Sequence, residues 1–490
     1  MAHDKIHFDP NKEYYRFGGG LKTMSIVFIV LGIIGAVWAY FDNHGANQHS
    51  RFWSNLLLNT YYFNGIAIAA VFFVAAHTIG YGGWFVVVKR IFESFGYFVF
   101  VTAVFFLLIV LGIWFDWHNL YDHWLNAPKE DTIVGDKKAF LNPTMFTFLT
   151  LTFSALWIIG VTWMRKQSLA DEISTNKVAY NQKSKYISAF YIVIFGVSSS
   201  IFSWVAIMSL DPHWYSTLFG WYNFASYMCG FLAMAILVIT YLKYKGLLVN
   251  VNENHMHNLA LFLFGFSVFY TYLWFSQFML IWYGNIPEDT MYFYKRFNVP
   301  LFKVLFFVTF IINFIFPFLF ILKRNAKRNI WITGIAAAIL LFGHYLDFYL
   351  MVMPEPNAPM HHTTESNSHH SNIPTSELKL LANNEVKSDS AVLNETVTAV
   401  QHTDEHTSNV VTTTHNETHE AHAATTDAHA KANTHEAHHE ENIASLGLIE
   451  IFMFLGFIGL FLFTTLSVLS KNRIVPTNNP FLEESLRHQY

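Results

Sequence analysis

The sequence predicts an all-α integral membrane protein with about ten transmembrane helices. Of its 490 residues, 53% are hydrophobic and only 13% are charged, whereas about a quarter of the residues of a soluble chain are charged. Ten separate segments are apolar over roughly the 20 residues that a helix needs to cross a bilayer. The single cysteine, Cys229, excludes a disulfide framework and an iron–sulfur cluster held by cysteines of this chain.

The predicted spans follow one another with short connections in most places. The first begins after twenty residues without an apolar run, and we interpret it as a retained helix and not as a signal peptide. The second runs into Gly80, Gly82 and Gly83, which predicts a bend there. The predicted limits are 21–41, 56–80, 91–115, 142–164, 186–209, 217–242, 258–283, 300–322, 329–353 and 444–469.

The Lys and Arg residues predict that both termini face the cytoplasm. Connections on the side of the N-terminus carry 20 of these 30 residues, and connections on the other side carry 10. Short cytoplasmic connections accumulate basic residues. Aromatic span ends such as those at Trp114, Trp214 and Trp282 fit an interfacial belt at the opposite, outer face.

Spans two to five and spans six to nine predict two four-helix bundles. Both sets have the same orientations and a basic inner connection before their last helix. The predicted organisation is a cytoplasmic segment 1–20, a peripheral helix with its outer loop 21–55, a first bundle 56–209, a second bundle 210–353, a His-rich periplasmic loop 354–443, a second peripheral helix 444–470 and a cytoplasmic tail 471–490.

The long loop is rich in Thr, Asn, Glu, Ala and His and has almost no aromatic residues. Such a composition cannot bury a core, so we expect the loop to be disordered. It contains thirteen of the 25 histidines, and metal scavenging is one interpretation of them. No spacing recurs as it does in a metal site, which favours a solvated tether, and no metal ligand is predicted.

The first candidate group lies toward the outer face. His344 and Asp347 are three residues apart on the ninth span and therefore share a helical face. Asp211 and His213 occupy the short turn between the fifth and sixth spans. A carboxylate and an imidazole at the rim suit the acceptance of protons from a hydroxylated ring and their release outward. Capping of helix ends at the interface is the alternative for Asp211 and His213.

The second candidate group consists of ionisable and polar residues that could form a proton path. His77 and Glu93 lie toward the inner face, and Glu450 lies one to two turns inside the outer end of the last span. Tyr272 and Gln277 on the seventh span could support a chain of hydrogen-bonded water. Structural links between packed helices are the alternative for all five.

Four long motifs resemble a known family. They are HTIGYGGWFVVVKRIFES from His77, SLDPHWYSTLFGWY from Ser209, YLWFSQFMLIWYGNIPED from Tyr272 and GHYLDFYLMVMP from Gly343. They are similar to the ActF membrane subunits, or second quinone-binding subunits, of bacterial alternative complex III. That complex is a quinol:cytochrome c or cupredoxin oxidoreductase, and these subunits belong to the NrfD/polysulfide-reductase membrane-subunit superfamily.

The resemblance implies two four-helix bundles with a peripheral helix at each side, in a bacterial inner membrane. It implies that this chain is a non-autonomous subunit that supports quinol oxidation at the periplasmic side and proton transfer. Asp211, His213, His344 and Asp347 would belong to the outer half of a quinone or proton site, with His344, Asp347 and Tyr345 as candidate quinone ligands.

The resemblance also implies particular partners and cofactors. The partners are a homologous membrane subunit (ActC), multihaem and monohaem cytochrome c subunits, an iron–sulfur subunit, small membrane anchors and, in some assemblies, a terminal oxidase. We expect no cofactor covalently bound to this chain. Quinol or quinone, menaquinone in particular, is the expected substrate, and the haems and iron–sulfur clusters are expected in the partner subunits.

Other functions remain open at this point. The chain could be a proton-conducting or scaffold paralogue whose sister subunit holds the quinol site. His77 and His344 are the two histidines deep in spans, so a b-type haem protein is an alternative. The two bundles and their charges near the middle of the membrane are also compatible with a secondary transporter.

Overall fold

A computed structural model describes residues 14–42, 49–174, 177–354 and 446–488. Within these ranges the chain is helical without a strand, and ten helices are long and apolar enough to cross a membrane. The predicted all-α membrane fold is therefore confirmed, whereas the predicted loop lies outside the described residues from position 355 onward. The ten helices are α1 Gly19–Phe41, α2 Ser50–Ile79, α3 Lys89–Trp114, α4 Pro143–Asp171, α5 Lys177–Ala206, α6 Leu218–Tyr244, α7 Glu253–Gly284, α8 Pro300–Phe320, α9 Ile330–Val352 and α10 Leu448–Leu469.

Several helices extend beyond the apolar segments that the sequence predicts as spans. Helix α2 begins six residues before the predicted limit, and α5 begins nine residues before it. At the start of α7, the Asn252 side chain accepts hydrogen bonds from the backbone N–H groups of Asn254 and His255. Such caps supply partners for the free N–H groups of a first turn. Hydropathy detects only the apolar part of each helix, because these additional turns carry polar side chains.

The glycine-rich segment between α2 and α3 is a break and not only a bend. Helix α2 ends at Ile79, and a single 3₁₀ turn over Trp84–Val87 precedes α3. Gly82 packs closely here, since a Cβ atom at this position would lie 2.9 Å from Cδ2 of His77. The break therefore brings the chain back across the end of α2 and against the His77 ring.

Helices α2, α6 and α9 form the centre of the described structure. In their most apolar stretches, 72%, 83% and 78% of the residues are buried, compared with 17% in α1. Helices α2 to α5 pack against one another, and so do α6 to α9. Helix α2 also packs against α6 and α9, which joins the two sets of four.

Helices α1 and α10 pack against each other, which corrects the expectation of one peripheral helix at each side. Their backbones approach so closely that a Cβ atom on Gly32 would lie 2.4 Å from the Cα atom of Gly456, and the reverse also holds. Small residues allow this kind of contact between membrane helices. The pair is attached to the remaining helices mainly through α10, which contacts α2 and α3.

Each end of the helical assembly takes its name from a buried carboxylate that lies there. The Asp211 end is where α5 ends and α6 begins, and the Glu93 end is where α3 begins. Residues after α10 fold back over the Glu93 end, where Ile474 and Val475 are fully buried. Short helices connect the spans at both ends, and they cover Asp122–Leu125, Thr132–Lys137, Met208–Leu210, Pro287–Asn298 and Arg324–Arg328, while a further short helix, Leu482–Leu486, follows the last span.

We expect Gly32→Ala to destabilise the chain, because the new methyl group would overlap the backbone of α10. Overpacking of this kind typically costs about 1–3 kcal/mol. Gly265→Ala in α7 is the matched control, since no atom lies within 4 Å of its Cβ position, and alanine is the better helix former by roughly 0.5–1 kcal/mol. The thermal unfolding midpoint in detergent should fall for Gly32→Ala and stay level or rise for Gly265→Ala. Equal midpoints in the two variants would contradict the close contact.

Candidate functional site

A carboxyl group lies buried between α6, α7 and α9. Asp347 is 3% exposed, and Tyr222 on α6 donates a hydrogen bond to its Oδ1 atom. The hydroxyl oxygen of Tyr270 on α7 lies 3.4 Å from that of Tyr222. Together with His344 and Ser226, these residues form what we call the Asp347 cluster.

The His344 imidazole occupies the same interior one turn before Asp347. Its Nδ1 atom shares a hydrogen bond of 2.9 Å with the Ser226 hydroxyl group. Its ring meets the Tyr270 ring edge-on at 4.6 Å between centroids. Nε2 has no hydrogen-bond partner among the described residues. The structure thus brings His344 and Asp347 together, as the sequence predicts.

An irregular turn of α8 packs beside the cluster. Residues Ile311–Ile315 form a π-helical turn, and Pro317 follows two residues later. A proline has no backbone N–H group to continue the regular hydrogen-bond pattern, which accounts for an irregular turn here. Gly343 allows this turn to pack closely against α9, because a Cβ atom at position 343 would lie 2.3 Å from Oδ1 of Asn313. The residue before His344 therefore has to be small.

Asp347 lines a small cavity together with three other polar side chains, Tyr222, Gln277 and Arg296. The cavity has a volume of about 30 Å³, and one water molecule needs roughly 10–15 Å³ on this scale. It therefore has room for about two water molecules and not for a substituted ring. The remaining wall consists of Trp274, Tyr292, Phe293, Phe306, Leu350 and Met351.

Arg296 reaches this cavity from the short helix Pro287–Asn298. It is 2% exposed, and its guanidinium group lies 3.4 Å from the centroid of the Tyr292 ring. Nε donates to the carbonyl oxygen of Leu350 at 3.0 Å, and Nη1 donates to that of Tyr292 at 2.6 Å. These contacts hold the cation in one position.

A second cavity, of about 10 Å³, lies toward Asp211. Arg296, Tyr292 and Met351 line both cavities, so these three side chains stand between them. Asp211 lines only the second cavity, as does Trp214, whose ring stacks on Tyr292 at 3.9 Å. The cavity at Asp347 and the cavity at Asp211 are therefore adjacent, with these three side chains as their common wall.

The Asp211 carboxylate is paired with Lys295, whose Nζ donates to Oδ2 at 2.9 Å. Burial alone would raise the pKa of Asp211. The charges of Lys295, Arg296 and His213 lower this pKa by a larger amount, so it lies below its ordinary value. His213 is on the surface and bonds Oδ2 of Asp131 at 2.7 Å. Of the two rim residues predicted from the sequence, only Asp211 lines a cavity next to that of Asp347.

Tyr345 and Tyr272 lie away from the Asp347 cavity. The Tyr345 ring packs 4.0 Å from the Phe454 ring of α10, and the Tyr62 ring of α2 lies 6.0 Å away on the same side. Tyr272, on α7, is 65% exposed. Gln277, in contrast, lies on the cavity wall.

Glu450 lies in the first turn of α10, not one to two turns inside the helix. Arg51 donates two hydrogen bonds of 2.8 Å to its carboxylate, one from Nε and one from Nη2. The backbone N–H of Gly447 donates to Oε2 at 2.8 Å, and Asn55 donates to Oε1 at 3.3 Å. These partners indicate a helix cap and an ion pair, and they place Glu450 in a different environment from Asp347.

The inner candidates lie at the Glu93 end. Glu93 accepts a hydrogen bond of 2.7 Å from Arg165, and Lys89 lies 3.8 Å away. His77 bonds the carbonyl oxygen of Phe73 through Nδ1 at 3.0 Å. Glu93 and His77 line two neighbouring cavities, of about 10 and 20 Å³, which share Thr78, Lys89 and Ser184.

The site defined by this geometry is a membrane-embedded acid–base cluster beside water-sized cavities. Comparison of the chain with models of protein families gives no match, and comparison with curated proteins gives none. No group of three or more His, Cys, Asp or Glu side chains suited to a metal ion occurs in the part of the chain that the structure describes.

Sequence reasoning missed Tyr222 and Arg296 as site residues. Tyr222 is 125 residues from Asp347 in the chain, and its place near a span end predicts only an aromatic residue at the membrane surface. The sequence position of Arg296 predicts only a basic residue in a connection between spans. The sequence signal that could have identified both residues is their position relative to the motifs. Tyr222 ends the SLDPHWYSTLFGWY motif, and Arg296 follows YLWFSQFMLIWYGNIPED by seven residues.

We expect Asp211→Asn to lower the stability at neutral pH by about 1–3 kcal/mol, because a hydrogen bond to a charged group is lost. The folded pKa of Asp211 lies below its ordinary value, so its contribution is complete above roughly pH 4 and is lost as the pH falls through the folded pKa. The unfolding midpoints of wild type and Asp211→Asn should therefore converge only below about pH 4. Asp136→Asn, at an exposed carboxylate, is the control. A difference that stays constant down to pH 3 would contradict the assignment.

Proposed function

We propose that this chain is a membrane subunit of a quinol:cytochrome c or cupredoxin oxidoreductase, and that its own contribution is proton transfer at Asp347. The observation that carries the proposal is the buried Asp347 carboxyl group, hydrogen-bonded by Tyr222 on the wall of a cavity with room for water. Ionisable groups are costly inside a membrane and mark proton and ligand sites.

The chemistry of quinol oxidation supports this role for a carboxylate. A quinol that becomes a quinone releases two electrons and two protons. The electrons would pass to haems of a partner subunit, and the protons need acceptors within hydrogen-bond reach or one water away. The Asp347 carboxylate accepts a proton, and the Tyr222 hydroxyl group and the cavity water can pass it onward.

The direction of proton release follows from the charge asymmetry of the sequence. With both termini in the cytoplasm of a bacterium, the Asp211 end faces the periplasm. Asp347 would then deliver protons outward through the cavity next to Asp211, and outward release conserves energy. A second path from the Glu93 end, through Glu93 and His77, would add pumped protons.

The volume of the Asp347 cavity favours a second candidate for the location of the quinol. About 30 Å³ holds water but no quinol ring, so a quinol bound here requires the wall of Trp274 and Phe306 to move. Alternatively, the ring binds in the homologous membrane subunit of the complex. A structure of the complex with a quinol-site inhibitor separates the two: density within reach of His344 or Asp347 assigns the quinol site to this chain, and density only in the neighbour assigns proton transfer alone.

Three other classes of function predict different measurements. A b-type haem protein shows a Soret band in the isolated chain. His77 packs among Phe73, Trp84 and Phe85, whereas His344 packs against Tyr270 and Ser226, so the two imidazoles have different surroundings. A secondary transporter produces substrate flux in proteoliposomes. A scaffold keeps full turnover when the cluster is substituted.

We expect Asp347→Asn to reduce quinol oxidation by the purified complex roughly tenfold or more, because the proton acceptor is removed at nearly constant shape. Proton release into the medium should fall in parallel. Turnover is measured per assembled complex, with a quinol analogue and a soluble cytochrome c as acceptor.

The matched control for this experiment is Glu450→Gln, which also neutralises a buried carboxylate of a membrane helix. Its partner Arg51 loses a counter-charge, so the yield of assembled complex should fall while turnover per complex stays within about twofold of wild type. Wild-type quinol oxidation and proton release in Asp347→Asn would refute the proposed role.

A further inference from the structure

We propose that Arg296 is a positioning residue that controls the ionisation of Asp347 across their shared cavity and limits the passage of protons between that cavity and the cavity at Asp211. This inference rests on the proposed function and deepens it, because it names the group that sets when the cluster releases a proton. It is carried by the position of Arg296 between the two cavities.

The first argument is the fixed position of the cation. The Arg296 guanidinium group stacks on the Tyr292 ring and donates to two backbone carbonyl oxygens, of Leu350 and of Tyr292. It is always protonated in proteins, and a buried cation next to a carboxyl group favours the carboxylate form. A rigid cation on the same cavity wall therefore favours the carboxylate form of Asp347 at all times.

The second argument is the absence of a direct ion pair. Among the described residues, the Asp347 carboxylate forms no salt bridge within 4.0 Å, in contrast to Asp211, Glu93 and Glu450, which do. The interaction with Arg296 therefore passes across the cavity and is weaker than a contact pair. Asp347 keeps the ability to gain and lose a proton, which a contact pair with arginine would suppress.

The third argument is the partition between the cavities. Arg296, Tyr292 and Met351 separate the cavity at Asp347 from the cavity at Asp211. A hydronium ion that crosses this point is repelled by the guanidinium charge. Asp211, already paired with Lys295, is the carboxylate on the far side. The guanidinium charge is thus an electrostatic barrier to proton passage between the two cavities.

Other groups around Asp347 contribute less to this control. Tyrosine hydroxyl and cysteine thiol groups are neutral near pH 7, and the His344 ring contacts the neutral side chains of Ser226 and Tyr270. The titratable side chains that face Asp347 from the elements packed around it are Tyr222 and Cys229 on α6, Tyr270 on α7, Tyr62 on α2, His344 on α9, and Tyr292 and Arg296 on the Pro287–Asn298 helix.

The test is infrared spectroscopy of the complex purified through this chain. The carbonyl stretch of the protonated Asp347 carboxyl group is identified as the band that disappears in Asp347→Asn. Its intensity is followed over pH 5–10 in wild type, Arg296→Gln, Arg296→Met and Arg296→Lys. Two neutral variants are used so that one remains if the other does not fold.

We expect the midpoint pH of this band to rise by at least about one unit in Arg296→Gln and Arg296→Met, which is a tenfold change in proton affinity. Arg296→Lys retains the charge and should move the midpoint by less than half of that. Lys295→Gln is the matched control, because it removes a neighbouring cation that pairs with Asp211 and lines neither cavity; its midpoint should equal that of wild type.

The outcomes separate this inference from the proposed function. A neutral Arg296 variant with the wild-type midpoint, or with no Asp347 band at any pH, overturns the control by Arg296, even if Asp347→Asn loses turnover. An equal shift of the midpoint pH in Lys295→Gln also overturns it, because the loss of any nearby positive charge would then explain the shift. Wild-type turnover in Asp347→Asn overturns the proposed function and leaves the spectroscopic result valid.

Discussion

The interaction on which the candidate site depends is the hydrogen bond from Tyr222 to the Asp347 carboxyl group. A carboxyl group between membrane helices is tolerated only when partners replace water, and an unsatisfied buried group costs about 1–3 kcal/mol. Here the hydrogen-bond partner comes from α6, so the packing of α6 against α9 and the site are one structural unit. These two helices are also the most buried of the described spans.

The buried carboxylates of Glu450, Glu93 and Asp347 have two different kinds of surroundings. Glu450 and Glu93 have arginine partners within hydrogen-bond distance. Asp347 has a neutral hydroxyl partner and an arginine only across a cavity. The difference distinguishes structural ion pairs from a group able to exchange its proton, and sequence position alone does not show it.

The sequence was sufficient to predict the helical membrane fold, because hydropathy depends only on local composition. It also placed His344 and Asp347 on one face, since the helical period fixes that relation. It did not reveal that Tyr222 and Arg296 complete the cluster, because those contacts depend on how distant helices pack. For the same reason Tyr345, next to His344 in the chain, points to α2 and α10, and the pairing of α1 with α10 was not foreseen.

The contact between Gly32 and Gly456 has a consequence for biogenesis. The two helices lie about 420 residues apart in the chain, and synthesis proceeds at roughly 5–20 residues per second. Helix α1 therefore waits about 20–85 s in the membrane before its partner emerges from the ribosome. Its apolar surface is covered during that time only by lipid or by a helper protein, so a delay or truncation before α10 leaves the nascent chain with an unpaired first helix that quality-control proteases can recognise.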